Sequence, residues 1–229
     1  AMLSEILPCM TEKQLAALPY KVFPLRDMVN AFRLMAQAKN IGKVVISFPQ
    51  EDAKNEKPII HDSACYLITG GYGALGLQVA KWLAAKGAKH LVLIGRRGPS
   101  PEAENTIEEL TRNGIRVFKA KADVSSPEDI ADVLASIKTN MPPLKGIIHA
   151  AGILEDGMLV NLSRDAFDRV MAPKVAGAWY LHQLTREMRL DFFVLFSSAA
   201  ALLGSPGQGN YAAANAFMDA LAHYRKYQG

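Results

Sequence analysis

The sequence predicts an α/β fold, a doubly wound parallel sheet of the Rossmann kind. Two observations carry that prediction. From residue 64 onward, short β-branched or apolar runs alternate with longer amphipathic ones, and the runs LVLI, GIIHA and FFVLF are almost continuously apolar. Alternating strands and helices give right-handed βαβ crossovers and a parallel sheet covered on both faces, and strands with no polar face belong there. The opening part of the chain does not join the alternation and reads as an appendage.

Taken in order, Phe23, Met28, Phe32 and Met35 accompany an expected helix over residues 25–38, and an apolar strand follows at 43–48. Residues 49–63 are polar and charged and read as a linker. Then come a strand at 64–69, a helix at 74–86 with Leu75, Val79 and Leu83 at near-helical spacing, and a strand at 90–94. A helix at 101–113, a strand at 116–122 and a helix at 127–138 continue the series. Ser126-Pro127-Glu128 opens the last of these with an N-cap, a proline at the first position and an acid in the first turn. A strand at 146–150, one long helix at 164–187 led by Ser163, a strand at 191–198 and a helix at 211–227 complete the chain.

The domain plan is thus an appendage (1–48), a linker (49–63) and a nucleotide-type fold (64–229). A composition that is 50% apolar and 21% charged is that of a globular chain. A net charge of +4, with no basic cluster denser than Arg96-Arg97, gives no footprint for nucleic acid. Cys9 and Cys65 show neither metal-ligand spacing nor a disulfide framework, so reduced thiols in a cytoplasmic protein are expected and no metal is. The stretch from Phe192 to Met218 lacks charge, yet Gly204, Ser205, Pro206, Gly207, Gln208, Gly209 and Asn210 would break any membrane helix there. A soluble protein is expected.

Thr69-Gly70-Gly71-Tyr72-Gly73-Ala74-Leu75-Gly76 follows the first strand of the fold and opens its first helix. Gly71, Gly73 and Gly76 satisfy G-x-G-x-x-G, whose glycines serve a tight turn, an approach to a pyrophosphate and close helix–strand packing. A diphosphate would sit on backbone N–H groups at the helix N-terminus. The next strand ends in Gly95-Arg96-Arg97, with no acid to accept from a ribose 2′-OH. Arginine pairs bidentately with a 2′-phosphate, so NADPH is expected rather than NADH. Asp123-Val124 ends the third strand, where a carboxylate can meet the adenine amino group. His149-Ala150-Ala151-Gly152 ends the fourth, where small residues leave room for the nicotinamide ribose.

Ser198 ends the fifth strand on the same edge. Tyr211 and Asn215, four residues apart, share one helix face, and Lys174 lies on the preceding helix. Carbonyl reduction needs a hydride donor, a proton donor and a group that polarises the C=O. A tyrosine can give the proton if a cation stabilises its anion, and lowering a phenol by two units from about 10 corresponds to roughly 3 kcal/mol. The expected roles are Tyr211 as proton donor, Lys174 as the cation, Ser198 holding the carbonyl oxygen and Asn215 relaying protons through water.

TGGYGALG, GRR, DV, HAAG, the lysine of APKVAGAW, FSSAAALLG and NYAAAN together resemble the ketoreductase domain of modular polyketide synthases. That domain is a relative of the short-chain dehydrogenases/reductases and is also found in animal fatty-acid synthase. The resemblance covers residues 64–229. Free-standing short-chain reductases usually carry Tyr-x-x-x-Lys, whereas synthase domains move the lysine to the earlier helix, as Lys174 with Asn215 does here. The resemblance implies reduction of a β-ketoacyl chain on an acyl-carrier-protein arm to β-hydroxyacyl, among neighbouring synthase domains and with a homodimer possible through the parent synthase.

By the same resemblance Leu154-Glu155-Asp156 is similar to the Leu-Asp-Asp signature of B-type domains, and Leu203 stands where A-type domains often have Trp, which together imply a 3R product. Residues 1–48 resemble the C-terminal end of an enoylreductase domain and lack its nucleotide loop. A complete ketoreductase would continue past Gly229 with two more strands and a substrate lid, so reduced activity is expected of this chain alone. Two other readings stay open: a non-catalytic nucleotide-binding or scaffolding piece, and a free reductase of small carbonyls.

Overall fold

The structure, a computed structural model, describes residues 18–47 and 60–228. Cys9, the strand end expected at Phe48 and most of the expected linker lie outside the described residues. The chain divides into two compact units, Ala1–Lys57 and Pro58–Gly229.

In the first unit β1 (Tyr20–Pro24) leads through a 3₁₀ turn at Leu25–Asp27 into α1 (Met28–Ala36), and β2 (Lys43–Ser47) follows. The two strands pair in parallel, from Tyr20 against Lys43 to Pro24 against Ser47. Sequence reading misses β1 because Pro19 and Pro24 bracket it, and proline argues against a strand. The helix begins later than expected because the chain leaves Pro24 in a 3₁₀ turn. Gly42 has φ +80°, and a Cβ there would lie 1.8 Å from the Pro19 carbonyl oxygen, so the turn into β2 requires glycine.

The second unit holds β3 (Cys65–Thr69), α2 (Ala74–Ala85), β4 (His90–Gly95), α3 (Pro101–Arg112), β5 (Arg116–Lys121) and α4 (Pro127–Asn140). After these come β6 (Leu144–His149), α5 (Arg164–Met171), α6 (Gly177–Leu184), β7 (Phe192–Leu195), α7 (Ala200–Leu203) and α8 (Gly209–Gln228). The five strands form one all-parallel sheet in the order β5-β4-β3-β6-β7. This is the doubly wound α/β fold that the alternation predicts. The winding reverses between β3 and β6, where ligands bind in such sheets.

Alternate strand residues feed two cores. Tyr66, Ile68, Leu91 and Leu93 pack under α2 and α3. Cys65, Leu67, Val92, Ile94 and Ile147 pack under α4 and α6. Burial pushes the Cys65 thiol up to about 12, which leaves it unreactive. Ser100, Ser126 and Ser163 each cap a helix, accepting from Ala103, Asp129 and Ala166 N–H, and the first two are followed by proline. The edge strand β5 carries Arg116, Lys119 and Lys121, charges that discourage pairing with another chain.

Two expectations need correction. The single helix expected over 164–187 is interrupted by a π turn at Ala172–Ala176 between α5 and α6. Pro173 explains the interruption, since it has no N–H to give the carbonyl four residues back. The strand expected over 191–198 ends at Leu195, and the next residues form a turn into the short α7. No helix among the described residues is long and apolar enough to cross a membrane.

Candidate active site

Parallel register gathers the site. Ala120, Ile94, Thr69, His149 and Leu195 stand side by side across the five strands, so the segments that follow each of them leave from one edge. The glycine loop, Arg96-Arg97, Asp123-Val124, Ala150–Gly152 and Phe196–Ser198 are those segments. A cleft of about 110 Å³ opens among Gly70, Gly95, Arg96, Val124, Ala151 and Gly152.

The loop's glycines divide the work differently from the motif's usual assignment. The left-handed turn falls on Gly70 (φ +64°), outside G-x-G-x-x-G, and a Cβ there would sit 2.8 Å from the Ala150 carbonyl oxygen. Gly71 lies against Leu93, and a Cβ on Gly76 would be 2.3 Å from the Gly70 carbonyl oxygen. Gly73 is the N-cap of α2, with no side chain to cap the first N–H groups and no acid in the first turn. A Cβ on Gly73 would meet only the Gly70 oxygen, at 3.3 Å. Ala74 and Leu75 follow it in the exposed first turn. Open amides at a helix N-terminus without a competing carboxylate suit a diphosphate.

Tyr72 reaches across instead of outward. Its hydroxyl lies 3.1 Å from both the Leu93 and Ala120 carbonyl oxygens, and its ring fills the space beside Gly95. Burial pushes this phenol up to about 12, so it braces β4 against β5 as a neutral donor. Arg96 and Arg97 are exposed, with no ion pair among the described residues. Asp123 holds the turn before α4 by accepting from the Ser125 N–H (2.9 Å) and hydroxyl (2.6 Å), through one carboxylate oxygen. Val124 is buried against Gly177, where a Cβ would come within 2.8 Å of it. These features fit an anionic dinucleotide.

Lys174, distant in sequence, meets Tyr211 and Asn215. Lys174 is 5% exposed, and its Nζ donates to Asn215 Oδ1 and the Phe196 carbonyl, each at 3.0 Å. The same Nζ stands 5.1 Å from the centre of the Tyr211 ring. Burial pulls the ammonium down to about 8. Asn215 Nδ2 donates to the Tyr211 carbonyl (2.7 Å), and the Ser197 hydroxyl donates to the Asn215 carbonyl (3.3 Å). Ser198 Oγ accepts from Ala200 N–H at 3.2 Å, a local turn that leads into α7 and leaves the hydroxyl its own proton to give. Gly152 makes room for the lysine, because a Cβ there would lie 2.9 Å from Lys174 Cε.

His149 stands behind the cleft and not in it. Its ring is fully buried, with Nδ1 2.7 Å from Thr69 Oγ1 and Nε2 2.9 Å from the Pro173 carbonyl oxygen. Burial first, then the Lys174 charge, pulls the imidazole down to about 4, so it is neutral. Any part it has in cofactor binding runs through its backbone. Residues 154–156 are tied to the segment leading into α8. Glu155 pairs bidentately with Arg169, Asn210 Nδ2 donates to the Glu155 carbonyl, and Gln208 Nε2 donates to Asp156. Leu154 and Leu203 are exposed, at 61% and 85%. Sequence reasoning missed the Phe196 carbonyl, the Thr69 hydroxyl, Pro173 and Gly177. Pro173 inside a helical pattern, one residue before Lys174, was the available signal.

The KR domain family matches residues 64–229, and a zinc-binding dehydrogenase family matches residues 1–46. Among curated proteins, the spectinabilin polyketide synthase system protein NorB of Streptomyces orinoci is 45% identical over all of this chain and 10% of its own length. A phenolphthiocerol/phthiocerol polyketide synthase component of Mycobacterium tuberculosis is 41% identical over all of this chain and 11% of its own. The chain thus spans about a tenth of these relatives. Among solved structures, an A-type ketoreductase from a modular polyketide synthase is 41% identical with TM-score 0.74, over 80% of this chain and 39% of that one. A ketoreductase domain from the bacillaene assembly line is 33% identical with TM-score 0.73, over 91% and 53%. The fold, the site and these likenesses agree: the chain belongs to the KR domain family, the ketoreductases of modular polyketide synthases.

Proposed function

We propose that the chain reduces a carrier-bound β-ketoacyl thioester to the β-hydroxyacyl thioester, with NADPH as the reductant, among the other domains of a polyketide synthase. The observation that carries this reading is the Lys174 ammonium, fixed by Asn215 and the Phe196 carbonyl 5.1 Å from the Tyr211 ring on the edge that bears the glycine loop.

The open amides of α2 take the diphosphate, Arg96 and Arg97 the 2′-phosphate, and Asp123 the adenine edge. Bound there, the cofactor supplies a hydride to the carbonyl carbon. The Ser198 hydroxyl donates to the carbonyl oxygen, and Tyr211 gives that oxygen its proton as negative charge builds on it. The remaining phenolate is stabilised by Lys174, and a proton returns from solvent past Asn215. A buried ammonium favours an anion far more than one in water would.

In this reading the loop at 154–156, anchored to Arg169 and to residues just before Tyr211, directs the acyl chain. With an aliphatic Leu203 it supports a B-type, 3R outcome. The test is consumption of NADPH and of NADH with a β-ketoacyl thioester surrogate, by this chain and by a C-terminally extended version, with chiral analysis of the product. NADPH should be preferred, Arg96→Glu should reduce that preference at least about tenfold, and the product should be 3R. No turnover by either version, or an unchanged preference in Arg96→Glu, would overturn the reading.

A further inference from the structure

We propose that His149 is a positioning residue: through the Pro173 carbonyl it holds the π turn that carries Lys174 to Tyr211. This rests on the reading of Lys174 given above.

The chemistry of the partners fixes the protons. The Pro173 carbonyl only accepts, so Nε2 of His149 carries the hydrogen. Nδ1 therefore accepts from the Thr69 hydroxyl, and Thr69 Oγ1 in turn lies 3.3 Å from the Ala151 N–H, which donates to it. One directed chain of hydrogen bonds runs from Ala151 through Thr69 and His149 to Pro173.

In an α-helix the Gly177 N–H would go to the Pro173 carbonyl, four residues back. Here it goes to Ala172, five residues back. His149 takes the acceptor thus released, at 2.9 Å. The imidazole occupies the partner that the α register needs, so reverting to that register would break a buried hydrogen bond and orphan its donor. A π turn adds a residue and offsets the following helix by about 100°. Lys174 sits in the middle of that turn, so its direction depends on the turn being held.

The titratable groups facing Lys174 are His149 from β6 and Tyr211 from α8. The test follows the lysine itself, by NMR titration of protein labelled at lysine Cε. Wild-type Lys174 should titrate near 8, and in His149→Val it should move toward the ordinary 10.5 as the side chain swings to solvent. His149→Gln, with an N–H that can reach the Pro173 carbonyl, should restore much of the wild-type value. Pro173→Ala, which regains an N–H but keeps both the carbonyl and its imidazole donor, should leave Lys174 near its wild-type value, and it serves where His149→Val fails to fold. In turnover with NADPH and the thioester surrogate, kcat should fall at least about tenfold in His149→Val, with KM for NADPH within about threefold. An unmoved Lys174 titration in folded His149→Val, or one moved toward 10.5 in Pro173→Ala, overturns the positioning role. A moved titration with an unchanged kcat upholds positioning and overturns Lys174 as the cation of the reaction.

Discussion

The two units contain the same phrase, a strand, a crossover helix and a parallel strand, yet among the described residues the two crossover helices begin very differently. Between β3 and α2 the chain runs through Gly70 to Gly73, takes a left-handed turn and reaches the helix with bare amides. Between β1 and α1 it runs through Pro24 and Leu25, and Asp27 sits at the N-cap of the helix. A carboxylate there would repel an anion, even though it accepts from Asn30 Nδ2 and not from the helix's own N–H groups. Burial differs in the same sense. Every residue of β3 is buried, whereas around α1 Met28, Val29, Phe32 and Met35 are exposed and Ala31 alone is fully covered. A βαβ phrase supplies direction and register, but its chemistry comes from the crossover and its stability from neighbouring layers.

The strongest way to break this contrast is to fill the glycine loop. Gly76→Val places a Cβ 2.3 Å from the Gly70 carbonyl oxygen, a backbone atom that cannot give way. It should abolish NADPH binding in a fluorescence titration and cost at least about 3 kcal/mol in thermal or chemical unfolding. Next is burial: Ile147→Ala should cost about 2–5 kcal/mol, while Val22→Ala on the exposed side of β1 should stay within about 0.5 kcal/mol.

A third test uses acid. His149 is neutral in the folded protein down to about 4, while the unfolded chain protonates near 6.5, so below 6.5 the unfolded state binds the extra proton. Stability from this group is therefore complete above pH 6.5 and is lost as pH falls to about 4, by on the order of 3 kcal/mol. In denaturant titrations against pH, His149→Gln should lose that slope. The smallest effect belongs to Gly98→Ala, where a Cβ meets nothing within 4 Å, and melting should move by less than about 0.5 kcal/mol.

Much of this was legible before any coordinates. Strands buried on both faces read as unbroken apolar runs, which is why LVLI announces a parallel sheet, whereas the equally apolar FFVLF is an edge strand that is only half-buried. The glycine loop is legible because a phosphate-binding turn leaves few residue choices. Tyr211 and Asn215 share a helix face by spacing alone, whereas Lys174 could be named as the cation from the chemistry but its meeting with them follows from the tertiary fold and not from spacing. The π turn was not legible. Pro173 signals an interruption, but its form depends on where the freed carbonyl goes, and that partner, His149, is 24 residues earlier. The turn glycine was likewise misread, since motif spacing points to Gly71 while the backbone puts its left-handed residue at Gly70. β1 was hidden by the prolines at its ends, where tertiary pairing overrides a local signal.

The pH dependence of turnover extends the contrast to the reaction itself. Lys174 is protonated at neutral pH and loses its charge as pH rises through about 8, so the rate should decline across that range. The most direct test of the central claim is Tyr211→Phe, which removes one oxygen and keeps the ring beside Lys174. With NADPH and a β-ketoacyl thioester surrogate, kcat should fall about 10²–10⁴-fold while NADPH affinity stays within about twofold. A variant that keeps the full rate would contradict the account, because the proton would then come from elsewhere.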